Sequence, residues 1–153
     1  MKKIVFILSI TITLLACTST DKKSGDASNN SDSTQQAEKA KIMSDTANFT
    51  SIQWLDSTFL SMGTVNEGAQ VEVSFRFKNI GTKPLVIANV TASCGCTIPE
   101  TPQQPFAPGE EGVIKAKFDS KGRVGEQRKH ISVDANTTPS RAHDLEFTVD
   151  VKK

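Results

Sequence analysis

From residue 49 to the end of the chain, apolar and polar residues alternate along several short stretches. Val71, Val73, Phe75 and Phe77 occupy every second position, with polar residues between them. A period of two indicates a β-strand with one buried and one exposed face. Similar stretches cover residues 51–55, 114–118, 131–135 and 145–151, a shorter and irregular one covers 85–90, and a further short strand is expected after Cys96.

Turn signals rich in Gly, Asn and Pro separate these stretches, at residues 63, 66–68, 79–84, 105–109, 121–125 and 136–139. No stretch combines a sustained helical period with capping residues. About seven short strands in about 100 residues are typical of an antiparallel sandwich. We therefore predict an all-β, immunoglobulin-like antiparallel β-sandwich of about seven strands over residues 49–153. A closed barrel is the alternative from the pattern alone.

The first residues follow a different pattern. Lys2 and Lys3 precede an apolar run over residues 4–16, which ends at Cys17. The run has the length of a signal-peptide core and is shorter than the roughly 20 residues that a spanning helix needs. A cysteine directly after Ala16 resembles the lipobox of bacterial lipoproteins. The resemblance implies removal of residues 1–16 and acylation of Cys17, which would anchor the protein to a lipid bilayer. The alternative is an ordinary secretory signal that happens to end before a cysteine.

The residues after Cys17 bear on the choice of membrane. In the lipoproteins that the chain resembles, Asp at the next position favours retention in the inner membrane, whereas this chain has Thr18. An acidic cluster that would direct export to the cell surface is absent, because Lys22 and Lys23 follow Asp21. We therefore expect an anchor in the outer membrane, with the domain facing the periplasm.

Residues 17–48 are rich in Ser, Asp, Asn, Thr, Gln and Lys, and Ile42 and Met43 are their main apolar residues. Such a segment buries too little apolar surface to offset the entropy lost on ordering. We predict a disordered linker in which residues 37–42 form at most a transient helical turn. The Asp-Ser-Thr and Asp-Thr-Ala tripeptides at 32–34, 45–47 and 56–58 resemble an O-glycosylation signal of some Gram-negative anaerobes, and the alternative is that Asp, Ser and Thr pair by chance in a polar linker.

Composition excludes several function classes. The formal net charge is +1, and removal of Lys2 and Lys3 leaves 16 basic and 17 acidic residues. Without a basic stripe, a nucleic-acid partner is not expected. The chain has no Tyr and a single Trp, Trp54, so a platform on which bases or sugars stack is not expected either.

Two motifs carry a resemblance to a known family. Ser93-Cys94-Gly95-Cys96-Thr97 is followed by Ala107-Pro108-Gly109-Glu110, and both lie in the alternating region. Over residues 49–151 the chain resembles an uncharacterised domain family of bacterial exported proteins, which is similar to PapD, major-sperm-protein and Hydin-type domains. The resemblance implies an immunoglobulin-like fold. It implies no activity, because the family has none assigned and one fold hosts many functions.

With Cys17 acylated, two thiols remain, at Cys94 and Cys96, one residue apart. In an oxidising compartment they are a candidate disulfide or redox pair. They could instead bind a soft metal such as Cu(I), although two thiolates are too few for a closed zinc site. The alternation places His130 on the face opposite the core, and His143 is expected in a loop. We therefore assign no metal site, and no cofactor is expected.

No nucleophile elbow, zinc-protease, P-loop or dinucleotide motif occurs in the chain. We expect no catalytic residues and no enzyme activity. The sequence favours a membrane-anchored, non-catalytic binding or scaffolding domain in the cell envelope, with an envelope protein as its partner. The alternative is a periplasmic thiol-redox or copper-handling protein that uses Cys94 and Cys96.

Overall fold

The computed structural model describes residues 30–153, with side chains from residue 36 onward. The predicted signal peptide and Cys17 lie outside the described residues. A helix, α1 (Asn30–Ser44), and a 3-10 turn (Thr46–Asn48) precede eight strands. The strands are β1 (Ile52–Trp54), β2 (Phe59–Asn66), β3 (Gln70–Asn79), β4 (Ile87–Ala92), β5 (Thr97–Glu100), β6 (Glu111–Asp119), β7 (Gly125–Ala135) and β8 (Ala142–Lys152). The described part of the chain contains no helix long and apolar enough to cross a membrane.

The eight strands form two four-stranded sheets. Sheet 1 has the order β1-β3-β6-β5, and sheet 2 has the order β2-β8-β7-β4. All neighbouring strands are antiparallel except β2 and β8, which are parallel. The predicted immunoglobulin-like sandwich is confirmed, and the sheet that contains β2 is mixed rather than purely antiparallel.

The inward-facing positions of both sheets form one hydrophobic core. The alternation predicted for residues 71–77 is observed in β3, where every second side chain is buried. Aromatic rings connect the two sheets: Phe118 of sheet 1 and Phe147 of sheet 2 pack edge to face with centroids 6.0 Å apart. Each fully buried Phe contributes about 2–3 kcal/mol relative to an exposed one. The core therefore lies between the sheets, as the period of two requires.

Strand β2 was not predicted, because a bulge interrupts its alternation. Leu60 and Met62 face the core, but the register with β8 shifts between Ser61 and Thr64, so Val65 is the next residue to pack inward. Gly63 lies at this shift with a φ of +70°, a conformation that favours glycine. The sequence pattern predicts a turn between strands at this glycine, whereas the structure has a bulge within one strand.

The prediction of a disordered linker over residues 17–48 is wrong for the described part, where α1 and the 3-10 turn are ordered. Gln36, Ala37, Glu38, Ala40 and Lys41 have high helix propensity. Tertiary contacts supply the rest of the stability. The Lys39 amine donates to the Pro102 carbonyl at 3.0 Å, and the Met43 side chain is buried. The apolar residues are too few to show a helical period, so the pattern concealed this helix.

Candidate functional site

The two remaining cysteines lie in the turn that carries the chain from sheet 2 to sheet 1. Cys94 and Cys96 are joined by a disulfide with their Cα atoms 5.3 Å apart. Backbone hydrogen bonds hold both ends of the turn, because Ser93 N donates to His130 O at 3.0 Å and Asp119 N donates to Cys96 O at 2.9 Å. The disulfide thus closes a tight turn between β4 and β5 whose ends are attached to both sheets.

The two sulfurs differ in their environment. Cys96 is buried, with 8% of its surface exposed, whereas Cys94 is half-buried and its Sγ lies 3.7 Å from Thr97 Oγ1. Cys94 is therefore the more accessible target for an incoming thiolate, whose attack would expel the electron pair of the S–S bond onto Cys96. Burial disfavours a thiolate. This arrangement favours a disulfide that resists exchange.

The two histidines have different environments. His130 lies on the exposed outer face of β7. The prediction that His143 lies in a loop is wrong, because β8 begins one residue earlier and pairs with β7 as far as Asp134. His143 is half-buried: its Nε2 is 2.7 Å from Thr137 Oγ1, and its ring packs edge-on to Trp54. Burial lowers the pKa of His143 below its usual value, although nearby Asp144 opposes this effect.

The described residues contain no group of three or more His, Cys, Asp or Glu side chains placed to bind a metal ion. Cys94 and Cys96 are already bonded to each other. A reduced pair would offer two thiolates, the ligand type that suits a soft metal such as Cu(I).

An aromatic and charged cluster occupies the outer face of sheet 2 beside the edge strand β2. Phe59 is 44% exposed, and the Arg128 guanidinium lies 5.8 Å from the centre of its ring. Glu146 joins the cluster from β8, with Arg128 Nε at 2.7 Å and His130 Nδ1 at 3.3 Å. We call these four residues the Phe59 cluster. Aromatic and Arg side chains dominate the binding energy of protein interfaces, so this composition suits partner binding.

The pairing of β1 with β3 ends at an ion pair between Asp56 and Arg76. The Asp56 carboxylate accepts from the Arg76 guanidinium, with an Nη2–Oδ1 distance of 2.7 Å, and from Arg76 N at 2.8 Å. Hydrogen bonds from Arg76 lower the pKa of Asp56. From this point the chain leaves sheet 1 and continues as β2 in sheet 2.

The side chains of two buried asparagines hydrogen-bond the loops that connect the strands. The sequence pattern indicates only a turn at each of them. Asn79 donates to the carbonyls of Lys83 and Phe106 and accepts from Thr50 Oγ1 and Gly81 N, at distances of 2.8–3.1 Å. Asn136 donates to the carbonyls of Asn48 and Pro84, and accepts from Val86 N. Each amide side chain hydrogen-bonds backbone groups that lie beyond the strand ends and so have no partner in a neighbouring strand.

Comparison with known protein families identifies the family to which this chain belongs. Residues 52–151 match the model of the family described as "Protein of unknown function (DUF1573)", which is most of the chain, and the chain belongs to this family. A comparison with curated proteins found no match.

Solved structures show the same fold at low sequence identity. A Porphyromonas gingivalis W83 protein of unknown function is 17% identical with a TM-score of 0.59, and the match covers 69% of this chain and 49% of that one. The ASH/PapD-like domain 7 of human CEP192 is 13% identical with a TM-score of 0.52, covering 69% and 87%. The YadV chaperone is 14% identical with a TM-score of 0.50, covering 67% and 52%. This chain thus spans about half the length of the P. gingivalis protein, and these likenesses show the fold alone.

Proposed function

We propose that this member of the DUF1573 family is a lipid-anchored envelope protein whose sandwich is a non-catalytic binding or scaffolding domain. The observation that carries the proposal is the Phe59 cluster. It places an exposed aromatic ring and a guanidinium side by side on a rigid strand face. The immunoglobulin-like fold supports the proposal, because it displays side chains on two exposed sheet faces and has edge strands at which a partner strand can pair.

The anchor is proposed from the sequence. Lys2, Lys3 and the apolar run over residues 4–16 precede Cys17, and more than one acyl chain on that cysteine would hold the protein stably in a membrane. The expected location is the outer membrane, with the sandwich in the periplasm. Metabolic labelling with an alkyne fatty acid tests this: the wild-type chain should take up label and sediment with membranes, and Cys17→Ser should do neither. Label on the Cys17→Ser chain would refute the assignment.

Partner binding is tested by cross-linking intact cells and purifying the protein from solubilised envelope. The Phe59→Ser variant removes the aromatic anchor, and Ile80→Ser is the matched control, because Ile80 is also apolar and 56% exposed but lies outside the cluster. Loss of a hot-spot aromatic costs at least about 2 kcal/mol, so the yield of a partner that uses Phe59 as its anchor should fall by about tenfold or more in Phe59→Ser alone. Equal yields from the two variants would remove the Phe59 cluster as the binding surface.

Thiol exchange is the second candidate, and the partial exposure of Cys94 is the observation that favours it. It requires a reduction potential in the range of disulfide catalysts, about −120 to −270 mV. The burial of Cys96 favours a more negative value. Equilibration of the oxidised protein with glutathione buffers, followed by alkylation and intact-mass measurement, distinguishes the two functions.

A further inference from the structure

We infer that the gap between β2 and β3 is a binding site for a short extended segment of another protein. This inference rests on the proposed binding function and specifies where a partner would insert. We call the gap the β2–β3 seam. It lies between the Gln70–Phe75 part of β3 in sheet 1 and the inward side chains of β2 in sheet 2.

The seam exists because β1 covers only one end of β3. Strand β1 pairs with β3 over Phe77–Asn79, whereas β3 continues from Phe75 back to Gln70 with only β6 beside it. In an antiparallel sheet successive residues direct their backbone groups to alternate sides. Both N and O of Arg76 bond on the β1 side, to Asp56 and Leu55. The N–H and C=O groups of Glu72 and Ser74 therefore point to the same side, where no described strand pairs with them.

The inner wall of the seam is apolar. Leu60, Met62 and Val65 of β2 pack against the core but remain half-buried, whereas the corresponding inward residues at the centres of β6, β7 and β8 are buried. A strand placed beside Glu72 and Ser74 would cover these three side chains with its own inward residues. The opposite side of the sandwich has no such gap, because β4 and β5 are joined by the disulfide-closed turn, and Val90 N donates to Thr101 Oγ1.

Both ends of the seam are closed, which limits the length of its ligand. The Asp56–Arg76 ion pair stands at one end, and the turn between β2 and β3 stands at the other, where Ala69 N donates to Asn66 O at 3.1 Å. The five steps from residue 70 to residue 75, at about 3.4 Å each, give a length of about 17 Å. The seam therefore accepts about four to six extended residues.

The side chains that line the seam determine which residues of a bound segment should be apolar and which should be polar. Inward positions face Leu60, Met62 and Val65, so they should be apolar, and outward positions lie beside the exposed Glu72 and Ser74, so Lys or Thr suits them. Neither residues 18–29 nor a second copy offers such a segment. Residues 18–29 contain Ala27 as their only apolar residue. In a second copy, the apolar residues of the unpaired stretch, Val71, Val73 and Phe75, are already buried in its own core. The occupant is therefore a segment of a different protein.

The test is a titration of the purified lipoprotein, in detergent micelles, with the capped peptide Lys-Val-Thr-Val-Lys, followed by amide hydrogen exchange and NMR. The control peptide replaces both Val residues with Ser. We expect the Glu72 and Ser74 amides to exchange fast in the free protein and to become protected with the first peptide only. Protection confined to β4 or β5, or no binding at millimolar peptide, would overturn the seam assignment.

A pair of variants isolates the backbone donor. Ser74→Pro removes an N–H that no described residue accepts, and proline is tolerated where an edge N–H faces outward. Ser74→Ala keeps the N–H and loses the same hydroxyl. We expect Ser74→Pro to weaken peptide binding about tenfold, through one lost hydrogen bond, and Ser74→Ala to leave it unchanged. If an envelope partner is captured equally by both variants, the binding function stands and the seam is not its site. If no partner is captured, the proposed function itself fails.

Discussion

The side chain of Asn79 should be one of the largest single contributors to the stability of the sandwich outside its apolar core. It is fully buried and makes four hydrogen bonds that join the segment before β1, the turn after β3 and the segment before β6. In Asn79→Ala, Phe106 O keeps a bond from Leu85 N at 2.9 Å, whereas Lys83 O, Gly81 N and Thr50 Oγ1 lose their partner. Leaving a buried polar group unsatisfied costs about 1–3 kcal/mol.

Thr50 is buried and Gly81 is half-buried, whereas Lys83 is exposed to water, so two such groups give an expected loss of about 3 kcal/mol in the free energy of unfolding. For a domain of this size, that loss lowers Tm by roughly 12 °C or more. Urea denaturation followed by the fluorescence of Trp54, the only tryptophan, measures it. Asn89→Ala is the matched control, because Asn89 lies exposed on the edge strand β4 and its loss should change stability by less than about 0.5 kcal/mol. A loss below about 1 kcal/mol in Asn79→Ala would show that water or the neighbouring backbone replaces the amide.

Three further outcomes are expected. Gly81→Ala should destabilise the fold by more than about 2 kcal/mol, because its Cβ would meet Thr50 Oγ1 and lie 2.6 Å from Ser51 N, whereas Gly95→Ala, with open space around it, should change the urea midpoint little. Equal losses of stability in Gly81→Ala and Gly95→Ala would refute this steric argument. Reduction of the Cys94–Cys96 disulfide should cost about 1.6 kcal/mol, the loop entropy of three residues, and a comparison of urea midpoints with and without reductant checks this value. Burial lowers the pKa of His143 in the folded state, so the unfolded chain takes up the proton first as the pH falls. The contribution of His143 should therefore be complete above about pH 6.5 and decrease as the pH falls towards its folded pKa. The loss of stability between pH 8 and pH 5 should be smaller in His143→Gln than in the wild-type chain, and an unchanged slope would contradict the assignment.

The core strands could be predicted because their pattern is local. In β3, β6 and β8 a period of two continues without interruption, so the inward face is readable directly from the residue types. The bulge at Gly63 breaks that period in β2, and a short glycine-containing break has the same appearance as a turn. Helix α1 depends on contacts with residues about 60 positions away, such as Lys39 with Pro102, and no local pattern reports them.

The polar features were less predictable for the same reason. Asn79 and Asn136 look like ordinary turn residues until the fold brings distant carbonyls to their amides, from Phe106 in one case and Asn48 in the other. His143 was assigned to a loop because β8 begins with Ala142, a weak strand former. The Phe59 cluster combines three strands, and the parallel pairing of β2 with β8 that assembles it is not visible in the order of residues.

Photo-cross-linking in living cells tests the central claim most directly. A photoreactive phenylalanine analogue is placed at position 59 or, as the control, at position 80, in the full-length lipoprotein. A binding module that uses the Phe59 cluster predicts one reproducible envelope protein cross-linked from position 59 and absent from position 80. The same background proteins from both positions, or none from either, would contradict the account.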